Sequence, residues 1–309
     1  MNGNPLRTSV ASNLQQALHA AEERYFSLFD GLFLSKQTND ACGSGEVRDA
    51  AVYAADIFRA EGKVAPDCDA LLACRWLFLA ADLLDDTLDG DADTLPWATW
   101  STGELALVSM QLTGLALCAA QKVDEKTGHS VVSILQQTVL EAASGAQLEQ
   151  ELFRPDISEK RILQVLDARS GALFGGICRF AAAAAGANDQ RQQAWACFGR
   201  RVGVAYQLEN DARAVLDPQR FADLAKRLIT LPVRYALDQA KGDALDSLQA
   251  YYLQHREVPL SEVSEAIRAS GGLAYTWACS AAIAAEAQRC APDEAIARQW
   301  LQYDEEPSS

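Results

Sequence analysis

Strand signals are the most conspicuous thing this sequence lacks. No run alternates β-branched and polar residues, and Ala, Leu, Glu and Gln dominate, which sets aside sandwiches and barrels in favour of helices. Positive charge is also short: 27 Lys and Arg stand against 42 Asp and Glu, a net charge of −15. A chain of that sign does not gain affinity by neutralising nucleic-acid phosphates or by docking on an anionic membrane. The eight cysteines form no C-x-x-C and no Cys/His group. Scattered through apolar, helical context such as "LALCAA" and "TWACSA", they read as buried thiols in a reducing cytosol, not as disulfides or a zinc site. No apolar stretch follows "MNGNPLRTSVASNLQQ", so no signal peptide is visible. The longest nearly apolar run, residues 105–120, carries Ser, Gln and Thr and is shorter than the roughly twenty residues of a membrane span. The expectation is a cytoplasmic protein with no membrane span and no nucleic-acid partner.

What is present is helical periodicity. The chain is 49% hydrophobic, enough for a sizeable core. Apolar residues recur at three- and four-residue spacing over 14–34, 47–60, 69–89, 103–121, 130–150, 159–185, 191–216, 229–252, 260–270 and 274–288. Turn signals fall between them, as in "GSGE", "APDCD", "LPW", "FRPD", "GAND" and "LDPQR". No Ser/Gly linker, charge block or internal repeat divides the chain. One all-α domain over residues 1–309 is expected, with about 1–13 and 304–309 flexible. Small residues crowd "GALFGGICRFAAAAAGA", where helices either pack closely or leave room for a ligand.

A second absence frames the functional question. No Lys or Arg lies between Arg75 and Lys122, yet "ADLLDDTLDGDAD" (81–93) holds six aspartates. At about 100° per residue, Asp82, Asp85, Asp86 and Asp89 share an arc of roughly 100°. Four like charges on one stripe repel, and the remedy is either water or bound cations. The neighbouring "CRWLFLAADLL" is too apolar for a purely solvated helix, and hard oxygen ligands suit Mg²⁺. In "GVAYQLENDARAVLD", Gln207, Asn210 and Asp211 repeat the stripe, with Ala214 where a third acidic group would stand.

These motifs resemble the trans-polyprenyl diphosphate synthase family of the class I isoprenoid synthase superfamily. The likeness rests on D-D-x-x-D at Asp85, Asp86 and Asp89, and on the element at Tyr206, Gln207, Asn210 and Asp211. It also rests on "ARSGALF" (168–174) and "DLAKRLITLPVRYAL" (223–237). The resemblance covers roughly residues 40–303 and implies a single antiparallel helical bundle around a deep apolar cavity. It implies three Mg²⁺ ions held by Asp85, Asp86, Asp89, Asn210 and Asp211, and a homodimer. Arg48, Arg169, Gln207, Lys226 and Arg227 would bind the diphosphate of an allylic prenyl substrate. Phe78, Ala81, Asp82, Ser170, Phe174 and Tyr206 would line the pocket. Mg²⁺ and basic groups would stabilise the departing pyrophosphate while the apolar cavity shields the carbocation.

The departures from that family narrow the expectation. The basic element that binds isopentenyl diphosphate is reduced to "GSGEVRD", where Gly45, Glu46 and Asp49 replace Lys, Arg and Pro and only Arg48 survives. Phe78 stands in place of a His, and no arginine follows Asp89 in "GDADTLPWATW". A second diphosphate has little to bind. The reading is therefore transfer of the prenyl cation to an acceptor other than isopentenyl diphosphate. Ala81, Asp82, the D-D-x-x-D motif and Trp97 look like the ComQ type of peptide-modifying prenyltransferase. Class I terpene cyclisation, ordinary chain elongation and a non-catalytic synthase subunit are the alternatives. Small Ala80 and Ala81 ahead of Asp85 suggest a C15 or longer prenyl chain, and Asp217 is a candidate substitute for the carboxylate missing at Ala214.

Overall fold

The computed structural model describes residues 50–89, 100–128, 130–216 and 222–301, the side chains of 86–89 and 222 excepted. The stretch expected as a helix at 14–34, and Arg48, Trp97 and Asp217, lie outside the described residues. Among the described residues there is no strand. The helices are α1 (Ala50–Ala60), α2 (Cys68–Asp89), α3 (Thr102–Thr127), α4 (Val132–Leu148), α5 (Glu159–Leu166), α6 (Ala172–Ala184) and α7 (Asp189–Leu216). They continue as α8 (Ala222–Ala225), α9 (Leu231–Gln239), α10 (Asp243–Leu248), α11 (Leu260–Ala269), α12 (Gly272–Cys290) and α13 (Glu294–Trp300).

Local chemistry sets the ends of the long helices. Asp67 opens α2 by accepting the N–H groups of Asp69 and Ala70 at 2.9 and 3.1 Å. Ser101 opens α3 through a reciprocal capping box with Glu104, which satisfies two otherwise orphaned donors. Gly128 closes α3 at φ 71°, a left-handed conformation that glycine adopts without a Cβ penalty. The expected single stretch at 229–252 is broken: α9 stops at Gln239, and Gly242 at φ 57° turns the chain before α10. The expected 159–185 stretch continues from α5 to α6, but through a π-helical turn, Asp167–Gly171.

Two apolar clusters make the core, and α7 runs through both. Trp195, Phe198, Val202 and Ala205 pack in the first with α1–α4, α6, α13 and the C-terminal part of α12 (Ala284, Ala287). Val204, Leu208, Ala212 and Val215 pack in the second with α5, α8, α9, α11 and α12. Each fully buried large apolar side chain contributes roughly 1.5–3 kcal/mol, so α7, which places large buried side chains in both clusters, links the halves more strongly than α12, whose share is Leu273 in one and Ala284 and Ala287 in the other. Polar ties hold the first cluster together: the Trp300 indole donates to Asp56 at 3.0 Å and the Trp195 indole to Glu61 at 2.7 Å. By length and composition α3 is apolar enough to cross a membrane. It packs along α2, with Leu105, Leu112, Leu115, Ala119 and Val123 in the core, while Leu107 and Met110 are exposed.

Small residues set how closely the central helices approach. A Cβ on Gly145 would lie 2.0 Å from the carbonyl oxygen of Ala168, and one on Gly203 would lie 2.5 Å from that of Ser170. Helices α4 and α7 therefore press against the π turn from two sides. Gly176 meets Thr138 and Gly199 meets the Phe174 carbonyl in the same way. The small residues of "GALFGGICRF" thus serve close packing.

Candidate active site

The π turn carries Arg169 and Ser170 into the space between α2 and α7. Such turns splay the backbone and often present functional side chains. Asp167 anchors the turn from behind, accepting from the Arg200 guanidinium at 3.1 and 3.0 Å while its carbonyl takes a third bond at 3.2 Å. At the front, Nη2 of Arg169 donates to Asp85 of α2 and Nη1 to Glu149. Glu149 opens the short 3₁₀ turn Glu149–Phe153 that follows α4.

The α7 side is a hydrogen-bonded row. Ser170 Oγ donates to Gln207 Oε1 at 3.0 Å, and Gln207 Nε2 donates to Asp211 Oδ1 at 3.0 Å. Asp211 is 4% exposed, and its Oδ2 finds no hydrogen-bond partner. Burial, and then the nearby charge of Asp223, push its carboxyl up to about 7, while the Gln207 bond and the charge of Arg169 pull the other way. An orphaned, buried carboxylate oxygen beside a second carboxylate is a position that a divalent cation relieves. Among the described side chains no three His, Cys, Asp or Glu groups gather closely enough to hold an ion. The α2 helix places Asp86 and Asp89 on its last turn, with their side chains outside the description.

The pocket residues converge beneath this row. Phe174 packs edge-on to Phe78 at 5.4 Å between centroids and meets Tyr206 at 6.1 Å. Tyr53 of α1 joins from the other side at 6.1 Å. The buried Ala80 carbonyl accepts the Ser109 hydroxyl of α3 at 2.7 Å. Ala81 is half-buried and Asp82 exposed. A cavity of about 690 Å³ lies behind the π turn, among Glu141, Asp167, Arg179, Arg200, Arg201 and Glu286; none of the aspartate-motif residues lines it.

Several expectations change against this geometry. The first aspartate motif is not left without a cation, because the chain brings Arg169 from 84 positions away to Asp85. Arg227, expected at the diphosphate, is turned elsewhere. It caps α8 at φ 64°, its guanidinium lies 4.4 Å from the Tyr251 ring centroid, and it bonds His255 and the Arg256 carbonyl. Lys226 is half-buried beside it, and Asn210 half-buried beside Asp211. Arg213 pairs with Glu209 of its own helix at 3.4 Å. Of the cysteines, Cys74 and Cys178 are buried, but Cys68 is exposed and the other four described are intermediate. Sequence reasoning missed Glu149 and Asp223. Asp223 stands in the "DLAKRL" segment already singled out, whereas "QLEQELF" offers no sign that Glu149 among its acids faces inward.

Comparison with known proteins agrees with the helical fold. The Polyprenyl synthetase family pattern matches residues 97–269, starting just beyond the first aspartate motif. A geranylgeranyl diphosphate synthase of Mycobacterium tuberculosis is 29% identical over 206 residues, 62% of this chain and 58% of that protein. A (2E,6E)-farnesyl diphosphate synthase of the same organism is 24% identical over 215 residues, 64% of this chain and 59% of that protein. The matched stretch thus spans less than two thirds of these relatives. Among solved structures, a decaprenyl diphosphate synthase from Rhodobacter capsulatus superposes with a TM-score of 0.72 at 17% identity, covering 94% of this chain and 95% of its own. A polyprenyl synthase from Caulobacter crescentus, complexed with calcium and isoprenyl diphosphate, gives 0.70 at 19% identity over 88% and 90%. With the helical bundle, the facing motif helices and a family match over more than half its length, the chain belongs to the polyprenyl synthetase family.

Proposed function

We propose that this chain is a prenyl diphosphate synthase-type enzyme that ionises an allylic diphosphate between α2 and α7. One observation carries the reading: Arg169 bonds Asp85 of the first motif while its charge reaches Asp211 of the second. Three separate sequence motifs therefore meet at one point. Asp85, Asp86, Asp89, Asn210 and Asp211 would hold Mg²⁺, and the unpartnered Oδ2 of Asp211 suits that role. When bound, Mg²⁺ supplies Lewis-acid stabilisation of the departing pyrophosphate. Arg169 and Lys226 orient the diphosphate by charge-assisted hydrogen bonds. Ser170 and Gln207 fix the Asp211 carboxylate. Phe78, Phe174 and Tyr206 keep water from the cleft, and their ring faces favour the positive charge left on carbon.

Chain elongation with isopentenyl diphosphate is the first reading for the acceptor. It is favoured by the relatives, which are named for geranylgeranyl and farnesyl diphosphate synthesis. The comparisons lend no support to a different acceptor, nor to a ComQ-type assignment. Transfer elsewhere remains a second reading on one structural observation: Phe78 is packed edge-on against Phe174 and offers no charge to a second diphosphate. A homodimer belongs to the same proposal, and exposed Leu107 and Met110 of α3 are apolar surface that a second copy would cover.

The deciding experiment is pyrophosphate release from geranyl, farnesyl and geranylgeranyl diphosphates, with and without Mg²⁺ and isopentenyl diphosphate. Elongation predicts release that needs both, with a longer prenyl product. Mg²⁺-dependent release that ignores isopentenyl diphosphate selects the second reading or cyclisation. No release under any condition rejects the enzyme. Asp85→Ala is expected to abolish turnover with an unchanged circular-dichroism spectrum, since its side chain is 44% exposed and contributes little to the core.

A further inference from the structure

A residue that only bound diphosphate would not need to bridge two carboxylates, as Arg169 does. Its two terminal nitrogens go to different carboxylates, on different segments of chain. The side chains of Arg169 and Glu149 are 14% and 13% exposed, against 44% for Asp85. One arm of the bridge is sheltered and the other opens to water. Parting sheltered charges leaves each uncompensated in a poor medium, whereas an exposed pair is weak and exchanges readily. The Asp85 arm is the more weakly held of the two.

We infer that Glu149 is a positioning residue that holds Arg169 at the cleft, and that Arg169 is the resident counter-ion of Asp85, displaced when a divalent cation takes that carboxylate. This rests on the proposed role of Asp85 as a metal ligand. Cation and guanidinium then compete for one carboxylate. A diphosphate relieves the competition, because it gives the freed Nη2 of Arg169 another anion while Nη1 stays on Glu149. Metal and diphosphate binding are coupled through the chain itself, each raising the affinity for the other. The cleft thereby stays neutralised when empty and takes the cation chiefly together with its substrate.

The test is calorimetric titration of Mn²⁺ into the full chain, with and without inorganic pyrophosphate, for the wild type, Arg169→Gln, Arg169→Lys and Glu149→Gln. Without pyrophosphate, Arg169→Gln is expected to bind Mn²⁺ about fivefold to tenfold more tightly. Arg169→Lys keeps the charge but cannot span both carboxylates, so it also tightens Mn²⁺ binding if direct pairing is the cause. It also protects the test against misfolding of the neutral variant. Glu149→Gln takes away the charge that holds Arg169 in place, so the gain in Mn²⁺ affinity on adding pyrophosphate shrinks. Equal Mn²⁺ affinity of the wild type and Arg169→Lys without pyrophosphate overturns the inference alone. No Mn²⁺ binding to the wild type under either condition overturns the metal-cleft reading, and this inference with it.

Discussion

At the residue scale, Asp211 is a carboxyl that the metal-free fold disfavours in its charged form. Its ordinary value of 3.8 is raised to about 7, first by burial and then by the charge of Asp223. The sign follows from linkage. A group that holds its proton more tightly folded than unfolded contributes stability fully below the unfolded value, and that contribution is lost as pH rises through the folded value. The relevant window runs from about pH 4 to pH 7. Asp211→Asn removes the titration, while Gln207 is able to turn its amide to keep a bond. In metal-free buffer the melting temperature of Asp211→Asn, relative to wild type, is expected to rise between pH 5 and pH 8. Turnover is expected to be lost at both. Parallel melting curves for the two proteins across that range would show that burial does not control this carboxyl.

At the element scale, the π turn Asp167–Gly171 is the part that aims the chemistry, and Gly145 sets its position. In a helix interior, Gly→Ala normally stabilises by roughly 1 kcal/mol. Here the added Cβ would meet the Ala168 carbonyl oxygen at 2.0 Å, and a backbone atom cannot swing aside. The clash outweighs the propensity, so Gly145→Ala is expected to destabilise the fold by about 1–3 kcal/mol in urea unfolding. It is also expected to raise the KM for the allylic diphosphate more than it lowers kcat, because the turn carries Arg169. An unchanged KM would detach Arg169 from substrate binding. This element also marks how far the sequence was legible. Helical periodicity found most of the described helices, and stripe geometry put each aspartate set on one face of its own helix, because both signals are local; that the two helices face each other came only from the family resemblance. The π turn, the left-handed Arg227 and the inward face of Glu149 were not legible. Each depends on what a distant segment brings: Gly145 and Gly203 against the turn, Tyr251 and His255 under Arg227, Arg169 beside Glu149. Likewise no local cation neutralises "ADLLDDTLDGDAD", and only the tertiary fold supplies Arg169.

At the scale of the whole molecule, α7 decides whether the chain behaves as one domain. Its N-terminal part packs Trp195 and Phe198 in the first apolar cluster, and its C-terminal part packs Leu208 and Val215 in the second. The site sits where the clusters meet, with Phe174 in one and Leu208 in the other. A cut between the halves would have to break a 28-residue helix, so the two clusters are expected to unfold together. Leu208→Ala tests this, because the side chain is fully buried in the second cluster alone. The substitution is expected to cost about 2–5 kcal/mol through lost transfer energy and a residual cavity. The buried indoles Trp76 and Trp195 lie in the first cluster, so part of the fluorescence reports there, while circular dichroism reports all helices. If α7 couples the clusters, both probes shift to the same lower denaturant midpoint. If the clusters are independent units, circular dichroism splits into two transitions and the buried-tryptophan signal keeps its wild-type midpoint. Coincident shifts would also tie the metal site to global stability, since Asp211 lies one turn beyond Leu208 on the same helix.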